Sequence, residues 1–112
     1  MRIILSLALV LASSAAFAQN VPAGNKCEKY FGIPRYMQAI QVVAKNAKWS
    51  VDEMCTLERI WDIQAEDTQV VNKKGEVEPH VRVYLHRNED SCHFMVRNAD
   101  LVVTSKKCYS TY

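Results

Sequence analysis

Glycine and proline are both scarce, three of each in 112 residues. There is no glycine-rich phosphate loop, no Pro/Gly/Ser-rich linker, no internal repeat and no low-complexity stretch. Neither a G-x-S-x-G elbow nor an H-E-x-x-H pair occurs, so no motif signals a serine hydrolase or a zinc hydrolase. No C-x-x-C occurs, which removes the thioredoxin-type redox motif and the zinc ribbon. The longest apolar run, Ile3–Ala12, is well short of the ~20 residues that span a bilayer. Charge of one sign is lacking too: 14 Lys+Arg stand against 12 Asp+Glu, and the signs alternate along the chain. The only basic doublets, Lys73-Lys74 and Lys106-Lys107, read as solvated turn or edge-strand positions. A nucleic-acid module gathers its Lys and Arg on one face, so no nucleic-acid partner is expected.

What is present begins with an export signal. Arg2 supplies a positive start, Ile3–Ala12 an apolar segment, and Ala16-Phe17-Ala18 the small-x-small form that signal peptidase cuts. Residues 1–18 read as a cleaved signal peptide, leaving Gln19–Tyr112 with 13 Lys+Arg against 12 Asp+Glu. No cysteine stands at the cut, so no lipid anchor is expected, and none remains after cleavage. The single charge and clean cleavage site suit a bacterial Sec signal, which places the mature chain in the periplasm or outside the cell.

Four cysteines, Cys27, Cys55, Cys92 and Cys108, lie in the mature part. An even count in a short exported chain reads as a disulfide framework with three possible connectivities. Cys27–Cys55 with Cys92–Cys108 is the natural choice. The first ties the lead-in to a short helix, and the second closes the last hairpin.

Residues 19–33 form a breaker-rich lead-in, and one domain follows over 34–112. Pro34 fits the first position of a helix, and Ile33, Met37, Ile40, Ala44 and Ala47 mark one apolar face. Ser50 and Glu53 have the form of a capping box opening a second, short helix over 51–59. The period then changes to two. Trp61, Ile63 and Ala65 alternate with polar residues, as do Val81, Val83 and Leu85, then Cys92, Phe94 and Val96. Residues 101–104 read as a fourth strand, and Pro79 demands an edge or a bulge. The fold class is α+β: two N-terminal helices packed on one face of a three- to four-stranded antiparallel meander, held by disulfides.

Registers set by the turns at 72–75 and 88–91 place two polar rows on the other face. A turn pairing Arg87 with Cys92 puts His86 opposite His93, Tyr84 opposite Met95 and Arg82 opposite Arg97. A turn pairing Asn72 with Glu76 puts Asp62 opposite His86 and Glu66 opposite Arg82. Asp62, His86 and His93 are a possible divalent-metal set. Glu66, Arg82, Tyr84, Met95 and Arg97 are rich in the residue types that interfaces favour. His80 falls outside both rows, as a loop residue, and Trp49 and Trp61 are expected in the core.

The layout, a helix on an antiparallel meander with a disulfide in its last hairpin, resembles the cystatins. Two helices before the meander are similar to the outer-membrane assembly lipoprotein and β-lactamase-inhibitor folds. No motif of these families is present. Gln41-Val42-Val43-Ala44 lacks the glycine of the cystatin Q-x-V-x-G loop and lies inside a helix. The expected function is a small non-enzymatic binding or inhibitor module, of which an immunity-type protein is one kind, with a protein partner and no cofactor. A divalent-metal-binding protein and a structural envelope component are the alternatives.

Overall fold

The computed structural model describes residues 24–110; the expected signal peptide and cleavage site lie outside the described residues. Pro34 occupies the first position of helix α1 (Pro34–Asn46), where a missing N–H costs nothing. Its buried stripe is Ala39, Ile40, Val43 and Ala44. Val43 and Ala39 therefore join Ile40 and Ala44, while Met37 is only partly buried. Helix α2 (Val51–Thr56) is opened by a complete capping box. The Glu53 N–H donates to Ser50 Oγ at 3.1 Å, and the Ser50 N–H donates to Glu53 Oε1 at 3.2 Å. The helix stops at Thr56, three residues earlier than its sequence suggests, because Leu57 is already extended.

The change of period at Trp61 yields four strands, β1 (Ile60–Val71), β2 (Val77–Arg87), β3 (Asp90–Arg97) and β4 (Val103–Ser110). They form one antiparallel sheet in chain order. Ile63, Ala65, Val81, Val83, Leu85, Cys92, Phe94 and Val96 share the face that meets the helices, and with Ile40, Val43 and Met54 they form one core. Both expected disulfides are formed, Cys27–Cys55 and Cys92–Cys108, and no cysteine is free. Among the described residues no helix is long and apolar enough to cross a membrane.

The lead-in is partly structure. Cys27 is fully buried, and Glu28–Tyr30 form a 3-10 turn. The Tyr30 hydroxyl accepts the Ala65 N–H at 2.8 Å, and Asp62 Oδ1 accepts that of Ile63 at 3.0 Å. Two donors on the outer side of edge strand β1 are thereby satisfied.

Pro79 sits opposite Gln69 in an unbroken β1–β2 ladder. Its carbonyl accepts the Asn98 N–H at 3.0 Å. A strand residue aims its N–H and C=O to the same side, so the nitrogen of Pro79 faces β3 where that strand has ended. No ladder bond to β1 is lost, and no bulge is needed. His80 is not in a loop. It belongs to β2 and is 1% exposed, with Nδ1 2.9 Å from the Glu78 carbonyl and Nε2 2.9 Å from Thr104 Oγ1.

The fourth strand starts two residues later than expected and runs to Ser110. Leu101, with φ of 56°, falls in the turn before it. Trp61 departs most from expectation. A register shift between Ile60 and Asp62 gives Ile60 the inward place and turns Trp61 out, leaving it 58% exposed.

Candidate open-face site

The helices cover one face of the sheet and leave the other open. The β1–β2 register is the one that the 72–75 turn dictates, with Asp62 opposite His86, Gln64 opposite Tyr84 and Glu66 opposite Arg82. Asn72 enforces it. Its Oδ1 accepts the N–H groups of Lys74 and Glu76, and Gly75 adopts a φ of 80°, which glycine takes without penalty.

The β2–β3 register is two residues away from the expected one. The connection is a tight pair, Asn88-Glu89, closed by a bidentate Arg87–Asp90 ion pair with bonds of 2.6 and 2.7 Å. His86 therefore faces Ser91, Tyr84 faces His93, Arg82 faces Met95, and Arg97 faces His80. A shift of two keeps every side chain on its face and changes every partner.

This shift separates the residues of the metal row. His86 Nδ1 is 3.0 Å from Ser91 Oγ and its Nε2 is 3.2 Å from Gln64 Oε1. Asp62 pairs with Lys29 at 2.9 Å. His93 lies diagonal to His86 rather than opposite it. Among the described residues the one trio of metal-type ligand atoms is Asp90, Cys92 and Cys108, and its two sulfurs are consumed by their disulfide.

The second row assembles in part. Arg82 Nη1 donates to Glu66 Oε1 at 3.2 Å and to the Tyr84 hydroxyl at 3.1 Å, and that hydroxyl donates to Glu66 at 3.1 Å. Arg82 Nε points at Met95 Sδ, 3.4 Å away. Glu66, Arg82, Tyr84 and Met95 thus form one closed cluster. Arg97 is not part of it, being turned to Asp100 at 2.9 Å and Glu78 at 3.6 Å.

A larger feature crosses the whole face. Five rings from all four strands stand in series: Trp61, His86, Tyr84, His93 and Tyr109. Successive centroids are 4.9, 5.8, 5.6 and 5.1 Å apart, and the two central pairs are parallel to within 9°. Each offset-stacked contact contributes about 0.5–1.5 kcal/mol beyond area burial. Trp61 and Tyr109, at the two ends of the series, are each more than half exposed.

Sequence reasoning missed Trp61, because the bulge reversed its side, and Tyr109, because the fourth strand was ended too soon. The signal for Tyr109 was available. Pairing Cys92 with Cys108 places Tyr109 opposite Ser91, on the side of the sheet that carries His93.

Among the described residues the histidines do not assemble a serine–histidine–carboxylate triad. Ser91 and His86 are within bonding reach, as a nucleophile and base would be. The group behind the imidazole, however, is the neutral amide of Gln64. Ser91, His86 and Gln64 line none of the described surface hollows near Asp67 and Pro79, near Arg82 and Lys107, or near Val42 and Val103.

Burial, and then the charges of Arg82 and Lys107, push the pKa of His93 below the ordinary 6.5. Asp67 and Asp90 are held below 3.8 foremost by hydrogen bonds from Arg35 and Arg87, and Asp100 by one from Arg97. All four groups bind protons more readily in the unfolded chain, so acid destabilises the fold. His93 acts first, as pH falls from 6.5 through its lowered folded value, and the carboxylates act below about 3.8. Urea midpoints measured against pH should fall in these two stages, and His93→Gln should abolish the first and keep the second. An unchanged first stage in that variant would show that another group causes it.

In comparisons with known proteins, no family model, no curated protein and no solved structure matches this chain.

Proposed function

We propose that the mature chain is an exported, non-enzymatic binding or inhibitor module that acts by protein–protein contact through the open face of its sheet. The observation that carries this reading is the five-ring series beside the Glu66–Arg82–Tyr84–Met95 cluster, on a face that no helix covers. Tyr, Trp, Met and Arg are the residue types enriched in interfaces and in their energetic centres. Stacking and the closed hydrogen-bond triangle fix these side chains before contact, which lowers the ordering cost of association. An immunity-type protein that blocks a toxin or a hydrolase would work in this way. Two disulfides and the signal-like start fit action in the periplasm or outside the cell.

The test is retention of a partner from the envelope fraction of the source cells on immobilised mature protein. Wild type and a Lys45→Glu control on the helix layer should hold the same protein. An Arg82→Glu/Tyr84→Ala/Trp61→Ala variant, checked to be folded by circular dichroism, should lose at least about tenfold in affinity, as expected for removal of interface anchors. Equal retention by the variant, or nothing held by wild type, overturns the reading.

A further inference from the structure

The open face dips into a hollow of about 300 Å³ that takes residues from all four strands and is lined by Val70, Arg82, His93, Met95, Thr104, Ser105 and Lys107. Three of its residues are basic, and none of the lining residues is acidic. The nearest described carboxylate partner is Glu66, which lies to one side and engages only Nη1 of Arg82. Nε of Arg82 rests against the Met95 sulfur, a weak acceptor, and its Nη2 makes none of the bonds described above. The ammonium of Lys107, a residue directly opposite His93 on β4, makes no hydrogen bond or ion pair among the described residues. His93 Nε2 is buried with no hydrogen-bond partner among the described residues. Among the described residues, a guanidinium, an ammonium and an imidazole therefore line one partly enclosed space, together with two hydroxyls and the apolar side chains of Val70 and Met95.

We infer that this hollow is a carboxylate-binding site. The exchange it calls for is simple: a carboxylate would replace the Met95 sulfur on Nε and take Nη2 with its second oxygen, the bidentate geometry that arginine favours. Lys107 would close on the same group, and an apolar stem on the acid would lie along Val70 and Met95. The carboxylate could belong to a free short-chain acid or to an acidic side chain of a protein. The inference deepens the binding-module reading by naming the chemistry of the contact, but the site can be tested with no partner in hand.

Binding should also be linked to protons. Arg82 and Tyr84 face His93 from β2, and Lys107 and Tyr109 face it from β4, with Glu66 reaching the group through Arg82 from β1. Without an anion, two fixed cations oppose a third charge on the ring. A bound carboxylate would reverse that balance, so it should bind more tightly when His93 is protonated.

The experiment is a proton–nitrogen NMR titration of the mature protein with three probes: sodium butyrate, an N-acetyl-glutamate amide, and inorganic phosphate. Butyrate should give saturable shifts centred on Ser105, Lys107 and the His93 ring, stronger at about pH 5.5 than at about pH 7.5. Lys107→Gln, an exposed change that leaves the fold intact, should weaken binding roughly tenfold, and Arg82→Gln by at least as much. Binding of the glutamate amide would assign the site to an acidic protein side chain, and exclusive binding of butyrate to a free acid; either result supports it. Non-saturating shifts, phosphate binding as tight as butyrate, or no effect of Lys107→Gln would overturn it. Failure of the wild-type protein to capture any partner, with butyrate binding intact, would sink the protein-contact reading alone.

Discussion

Replacing both Cys27 and Cys55 by alanine is expected to cost about 3.6 kcal/mol, from the loop-closure entropy of a 28-residue separation. Domains of this kind have about 5–15 kcal/mol in total, and a small core sits at the lower end. The effect should exceed the loop term, because both residues are buried and everything they hold is short. Helix α2 has six residues, too few to persist without tertiary support. The 3-10 turn it is tied to carries Tyr30, whose hydroxyl caps the edge of β1. Urea unfolding and amide exchange should show loss of the helix layer first, with the amides of Ile63 and Ala65 exposed alongside it. Removing Cys92–Cys108 carries a smaller loop term of about 3.1 kcal/mol, for a separation of 16, and should free β4 while leaving β1–β3 protected. A loss below about 1 kcal/mol for Cys27→Ala/Cys55→Ala would show that the lead-in is not part of the cooperative unit.

Phe94→Ala is the second large effect. Phe94 is 2% exposed, stands opposite Val83 on β2 and Lys106 on β4, and has the Lys106 ammonium 5.4 Å from its ring centre. Truncating a buried phenylalanine costs about 3–5 kcal/mol, the lost transfer energy plus the cavity left behind. The midpoint of urea unfolding should collapse, whereas Phe94→Leu, which keeps most of the volume, should lose only about 1 kcal/mol. Phe94 lies on the opposite side of β3 from His93. Any Phe94→Ala protein that remains folded in the cold should therefore keep its open face. A loss of less than about 2 kcal/mol would mean that the core closes over the gap.

Much of this architecture is written locally in the chain. The capping box needs only Ser50 and Glu53, helix α1 only Pro34 and its apolar spacing, and the first hairpin only Asn72 and Gly75. Each decision is made within a few residues, and each is found where the sequence places it. The second hairpin is different. Asn88, Glu89, Asp90 and Ser91 all suit a turn, and alternation of apolar residues cannot separate registers that differ by two. The Arg87–Asp90 ion pair selects the tighter connection, and with it the partners of every residue on the open face. The grouping of Glu66, Arg82, Tyr84 and Met95 survived because a long arginine side chain reaches across either register. The set of Asp62, His86 and His93 did not, because a metal ion tolerates no such slack. Trp61 and His80 show a further limit. A bulge between β1 and β2 and a crossing bond from β2 to Thr104 on β4 depend on how the assembled strands twist, which no local pattern records.

The two edges of the sheet are unequal. On β1, the Ile63 and Ala65 donors are already taken, and ion pairs from Lys29 and Arg35 flank them. Among the described residues no such cap is found on β4, which carries the charges of Lys106 and Lys107. A chain with one receptive edge can join a second copy by that edge and then has nothing further to offer. Growth into a filament requires two receptive edges on every unit. The tyrosine that anchors the lead-in therefore also closes part of one edge to the strand addition that a filament would need.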